Sequence, residues 1–322
     1  MRRPRLKLDA KEEEAIYHCM SRTAGGEWLL GDREKEVLRT QIWKLAEYCG
    51  LEIVTYALMS NHYHVLVKVP QHREVTDQEL LTRYRALYPK LKPVQAIALK
   101  AVEADMARNG DMARAWRERQ LRQMFDVSHY NKLLKMRFSI WYNKAHNRYG
   151  TLWSDRFKSV LVESGDALTK MAAYIDGNAV RADIVEDPKD YRFCGYAEAV
   201  AGNEKARRGL QEAVGGSWSE VLESYRCLVI AMLSEAREGK AQAGPELFEE
   251  VLRTGGKLSL SEVLKCRIRY FTDGVILGSK EYVERTALRI AGKAPRQPQP
   301  LAPITDWGGL HVLSRMRSNL WG

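Results

Sequence analysis

The sequence predicts an α+β protein: a ferredoxin-like antiparallel sheet with helices on one face, a helical insertion, and a mostly helical C-terminal region. Three observations carry that prediction. Two β-rich runs meet at the turn signal Ser60-Asn61, strand and helix patterns alternate as β-α-β-β-α-β-α across residues 1–200, and right-handed crossovers fold that order into one sheet.

The elements follow in order. Glu14 to Arg22 alternates as a first strand and stops at Gly25-Gly26. Asp32 opens a helix whose apolar positions Val37, Leu38, Ile42, Leu45 and Ala46 keep helical spacing, with Gly50 as its C-cap. The hairpin comes next, Leu51–Leu58 and then His62–Val69. Its second strand places His62, His64, Leu66 and Lys68 on one side and Tyr63, Val65, Val67 and Val69 on the other, a core face.

Residues 71–127 are charged and rich in Leu and Ala, and read as inserted helices. Ser128 is the expected cap of a helix carrying Leu133, Leu134, Phe138, Ile140 and Trp141 and running to Asn147. Arg156–Glu163 alternates as a strand, and a last helix runs from Ala167 to about Val185 before Asp187-Pro188. On it Lys170, Tyr174, Asn178 and Arg181 share a stripe beside the core positions. Residues 1–200 are expected to form one domain, and residues 201–322 a further, mostly helical region of unassigned role with a Pro-rich tail at 295–300.

Composition narrows the function. No run of about 18 apolar residues is present, and charge follows Met1-Arg2-Arg3-Pro4-Arg5, so the expectation is a cytoplasmic protein that does not engage membranes. The five cysteines, Cys19, Cys49, Cys194, Cys227 and Cys266, lack any C-x-x-C pair and read as structural thiols. Lys and Arg number 51 against 41 acidic residues, a formal charge of +10 that favours polyanionic partners. Cations Lys144, Arg148, Arg156 and Lys158 are interleaved with Trp141, Tyr149 and Trp153, a mixture suited to a single-stranded backbone and its unstacked bases.

Two strand imidazoles at His62 and His64, with the amide of Asn178 from a helix, can hold one divalent cation and leave room for phosphate oxygens. Tyr174, one turn before Asn178, is then the candidate nucleophile for phosphodiester transfer. Tyr142, with His146 four residues on, is a rival that ranks lower because its aromatic neighbours favour packing. A structural zinc site joining Cys19, Cys49 or Cys194 to the histidines is a further alternative, unsupported by spacing.

Three segments together, Asn61-His62-Tyr63-His64-Val65-Leu66-Val67, Gly150–Ser159 and Tyr174–Ala182, resemble the REP-associated tyrosine transposases, single-tyrosine transposases with a His-hydrophobic-His motif. The resemblance spans roughly residues 10–200. It implies an enzyme that cuts single-stranded DNA at hairpin-forming repeats, as monomer or homodimer, through a 5′-phosphotyrosine on Tyr174. His62, His64 and Asn178 would bind Mg²⁺ or Mn²⁺. Arg181 joins the candidate phosphate contacts, and a nucleoid-associated protein is implied. Where the family typically has Asn-Pro-Val, this chain has Asn178-Ala179-Val180, which keeps the amide. A relative that binds structured DNA without cutting it is the alternative.

Overall fold

The computed structural model describes residues 6–234, 274–291, 299–300 and 310–314. The first strands and helices are β1 (Ala15–Arg22), α1 (Asp32–Cys49), β2 (Glu52–Leu58) and β3 (His62–Val69). Three inserted helices follow, α2 (Asp77–Leu87), α3 (Pro93–Met106) and α4 (Asp111–Leu121), then α5 (Val127–Ala145) and β4 (Lys158–Val162). Next come α6 (Asp166–Asp176), α7 (Asn178–Arg181), α8 (Gly195–Val200), α9 (Glu204–Val214) and α10 (Trp218–Ser234). The remaining described elements are β5 (Gly274–Ser279), α11 (Lys280–Ala291), β6 (Gln299–Pro300) and β7 (Leu310–Ser314).

The sheet runs β2-β3-β1-β4-β5-β7-β6. Its first four strands pair antiparallel, the ferredoxin-like order expected from the β-α-β-β-α-β pattern. The sheet does not end there. β5 adds parallel to β4, with Leu161 opposite Ile276, and β7 and β6 continue antiparallel, so the whole sheet is mixed. The C-terminal part therefore contributes strands as well as helices. Ser259–Leu264, where the sequence predicts a helix, the basic and aromatic residues Arg267, Arg269, Tyr270 and Phe271, and the prolines at 295–298 lie outside the described residues.

The helices divide between the faces of the sheet. On the Tyr63 side α1 and α5 pack together, the Tyr130 hydroxyl donating to the Ile42 carbonyl and the Tyr63 hydroxyl to Asn131 at 3.4 Å. These two obey the one-face expectation. The helix α6 does not, because it lies on the His64 side, where Tyr174 meets the histidine edge-on. Val65, Leu66 and Val67 are accordingly fully buried, pointing alternately to two covered faces.

Local signals account for most boundaries. Gly50 closes α1 in the left-handed region, with φ 68° and ψ 32°, as a C-cap glycine should. At α5 the cap is Asp126 and not Ser128, the carboxylate accepting from the His129 amide at 2.8 Å while it also pairs with Lys7. Gly177 ends α6 earlier than expected, and α7 starts at Asn178.

One close approach ties the later helices to the sheet. β2 carries an extra residue between Ile53 and Thr55, and α9 packs on β2 through Gly209. A Cβ at Gly209 would come within 2.4 Å of both the Ile53 and Val54 carbonyl oxygens. Gly209→Ala is therefore expected to lower stability by about 1–3 kcal/mol in urea unfolding, despite alanine's better helix propensity. A neutral or stabilising result would mean that α9 shifts freely over β2.

Candidate active site

Strand register builds the site from three segments. In the β1–β3 ladder Met20 stands opposite His64 and Arg22 opposite His62, while Met20 also stands opposite Lys158 of β4. Arg22, His62, His64, His18 and Lys158 thus share one face of the sheet. His18 is fully buried, His64 is 4% exposed, and Lys158 and Arg22 are exposed at the margin.

The histidines are tied at defined nitrogens. His62 Nδ1 lies 2.6 Å from the Asn61 Oδ1, and the Asn61 amide nitrogen donates to the Gly26 carbonyl at 3.0 Å. An amide oxygen only accepts, so His62 Nδ1 carries the proton and its Nε2 keeps a lone pair. His64 Nδ1 sits 2.8 Å from His18 Nε2, the two rings stacked with centroids 5.0 Å apart. The His62 and His64 rings cross nearly at right angles, 5.1 Å apart.

Burial, then the Arg22 charge, pushes the His62 imidazole down to about 4. His64 is held well below the usual range by burial first, then by His18, His62, Arg181 and Arg22. Both rings are neutral at pH 7, the form that ligates metal. The sign for stability follows. Between pH 6.5 and about 4 the unfolded chain binds protons that native His62 refuses, so stability falls as pH falls through that window. For His62 alone the effect is on the order of 3 kcal/mol. His62→Gln is expected to flatten the acid limb of a urea-midpoint series by about that amount, and an unchanged limb would contradict the buried, neutral imidazole.

The second half of the site comes from α6 and α7. Tyr174 is 4% exposed, its ring edge-on to His64 at 6.2 Å and to His18 at 6.4 Å. The Arg181 guanidinium stacks over that ring at 4.5 Å and donates to the Tyr174 carbonyl. Asn178 donates its amide nitrogen to the Tyr174 and Ile175 carbonyls, at 3.3 and 3.0 Å, satisfying acceptors left over at the end of α6. Its Oδ1 is therefore the atom left for a ligand. Lys170, on the same stripe, is spent on Asp166 at 2.6 Å.

Asp176, beside these residues and missed by the sequence reading, is fully buried. It accepts from the Thr55 hydroxyl at 2.8 Å, the Tyr196 amide at 3.1 Å and the Tyr225 hydroxyl at 2.5 Å, joining α6 to β2, α8 and α10. Burial pushes its carboxyl up to about 6, against the opposing hydrogen bonds.

The other candidates separate. Tyr149 is 93% exposed and offers a free face. Trp141 is half-buried with the Arg33 guanidinium 5.8 Å over its ring, and Lys144 is exposed; both belong to α5, in the helix layer of the opposite face. Arg148 braces its loop by donating to the Thr151 carbonyl at 3.2 Å. Arg156 is exposed, in the loop that returns through Ser154 to the Arg22 carbonyl. Trp153 is corrected: its ring is buried against Tyr63 and Phe138 and its Nε1 donates to the Lys135 carbonyl, leaving no face for a base. Tyr142 is buried and stacked on His146 at 4.2 Å, also in the α5 layer.

Among the described residues no group of three or more His, Cys, Asp or Glu side chains is placed to hold a metal ion, and Cys19, Cys49, Cys194 and Cys227 are buried and form no disulfide. The zinc alternative finds no support in these residues. Neutral imidazoles and an amide oxygen are donor types that suit a divalent cation.

Residues 11–79 match the family model described as "Transposase IS200 like". That segment contains His18, Arg22, His62 and His64. Tyr174 and Asn178 lie beyond it. No curated protein matches the chain. Among solved structures it is similar to a REP-associated tyrosine transposase bound to a REP hairpin, at 14% identity over 63% of this chain and 85% of that one, with a TM-score of 0.35. No helix among the described residues is long and apolar enough to cross a membrane.

Proposed function

We propose that this IS200-like chain is a metal-dependent transposase that nicks and joins single-stranded DNA at hairpin-forming repeats, with Tyr174 as nucleophile. The observation that carries the reading is the packing of one tyrosine ring edge-on against His64, one member of the neutral His62–His64 pair, and under Arg181. The IS200-like match over the histidine strand supports it independently.

The phenolic oxygen of Tyr174 gives up its proton to solvent and attacks phosphorus, the bond from phosphorus to the 3′ oxygen breaks, and that oxygen leaves as a 3′-OH after taking a proton from solvent. The 5′ side remains on the enzyme as phosphotyrosine. His62 Nε2, His64 and Asn178 Oδ1 would hold the cation, Mg²⁺ or Mn²⁺, which supplies Lewis-acid polarisation of the scissile phosphate. Two imidazoles in the donor set suit Mn²⁺ better than Mg²⁺. Arg181, Arg22 and Lys158 bring positive charge to the phosphate from the margin of the histidine face. Lys144, Arg148 and Arg156 serve the flanking backbone, with Trp141 and Tyr149 as stacking surfaces.

A second reading, a binding protein for structured DNA that does not cut, is favoured by the 4% exposure of Tyr174 beneath Arg181. The deciding experiment uses end-labelled single-stranded oligonucleotides carrying the hairpin repeats that flank the chain's own gene, with Mg²⁺ or Mn²⁺, resolved on a denaturing gel. A metal-dependent covalent adduct retaining the DNA downstream of the cut establishes the enzyme. Salt-sensitive binding without an adduct under either metal establishes the second reading.

A further inference from the structure

The histidine pair has a third member that the motif does not include. His18 comes from β1, is fully buried, and meets His64 ring on ring, its Nε2 2.8 Å from His64 Nδ1. A hydrogen bond at that distance carries one proton, which sits on one of the two facing nitrogens. If His18 supplies it, His64 is left protonated at Nε2 and cannot ligate through that atom. If His64 supplies it, His64 Nε2 is bare.

His62 shows which arrangement the site is built for. Its Nδ1 is held by an acceptor, the Asn61 Oδ1, itself oriented by the Gly26 carbonyl, so that Nε2 is the open nitrogen. His18 occupies the corresponding place at His64. We infer that His18 is a positioning residue: it accepts the Nδ1 proton of His64, locks the ring against β1, and leaves His64 Nε2 open on the side shared with His62. This rests on the proposed metal role of the pair and assigns its orientation to a residue outside the His-x-His motif. Outer partners of metal-bound imidazoles act in this way, and their loss typically weakens metal binding 10–100-fold.

The test separates the two readings. Full-length protein labelled with ¹⁵N-histidine reports the tautomer of each ring by long-range ¹H–¹⁵N correlation without added metal, His64 being assigned from the signal lost in His64→Gln. The expected result is His64 protonated at Nδ1, and loss of that fixed tautomer in His18→Phe. Calorimetric titration with Mn²⁺ alone should then show affinity down about 10–100-fold in His18→Phe and within a few-fold of wild type in His18→Gln, whose side-chain oxygen can accept the same proton. Should His18→Phe fail to fold, His18→Gln and the wild-type tautomer still decide the matter.

A His64 proton on Nε2 in the wild type overturns the inference, as does undiminished Mn²⁺ affinity in folded His18→Phe. If the wild type binds no Mn²⁺ at all, the metal reading falls, and the ¹⁵N spectrum alone then upholds or overturns the His18 orientation.

Discussion

Tyr174→Phe is expected to eliminate the covalent protein–DNA adduct and to lower nicking by on the order of 10³-fold or more, because the oxygen proposed to attack is removed and nothing else. The substitution keeps the ring that Arg181 covers and that His18 and His64 meet edge-on, so folding and DNA binding should persist. Tyr142→Phe is the matched control. Its ring stacks on His146 in the α5 layer, away from the histidine face, and its adduct yield should equal wild type. Thermal melts and a salt-dependent binding curve for both variants guard against a trivial loss of structure. An adduct that survives Tyr174→Phe, or one that disappears in Tyr142→Phe, would move the nucleophile elsewhere.

The second large effect belongs to Asp176, whose carboxyl is buried under three donors and raised from 3.8 to about 6. A raised acid is protonated more readily in the native state than in the unfolded one. Between about pH 4 and 6 the native protein therefore binds the extra proton, and stability from this group is lost as pH rises through that window. The gap corresponds to about 3 kcal/mol as an order of magnitude. Asp176→Asn removes the titration while retaining an oxygen for Thr55 and the Tyr196 amide. Relative to wild type, the variant should gain on the order of 3 kcal/mol between pH 4 and pH 7, read as the difference in urea unfolding free energies at the two pH values. A constant difference would show that Asp176 does not titrate in that range. The histidines act in the opposite sense over the same window, so the variant's stability should climb more steeply with pH than the wild type's.

Asp176 also shows how the later chain reaches the site. The Tyr225 hydroxyl on α10 and the Tyr196 amide on α8 hold the end of α6, the turn from which Tyr174 and Asn178 project. Asp176→Leu would strand three donors, each costing about 1–3 kcal/mol when left unpaired.

Much of this arrangement was legible in the residues, because it is written in local periods. Alternation placed His62 and His64 together on β3, helical spacing put Tyr174 and Asn178 one turn apart, and Ser60-Asn61 marked the hairpin. The order of strands and helices also sufficed for the antiparallel β2-β3-β1-β4 core, since crossover handedness leaves few topologies.

What local patterning could not supply is register and partnership between distant segments. His18 becomes a partner of His64 only because Met20 pairs with His64, a choice made across more than 40 residues by the packing of two sheet faces. Trp153 was read as a stacking surface because an aromatic beside cations looks the same in sequence whether it faces solvent or Tyr63. The sheet's extension by β5, β7 and β6, and the closure of Asp176 by α8 and α10, depend likewise on which distant segment covers which open edge or face. Those contacts arise from burial and pairing across the whole molecule, which no short window of sequence encodes.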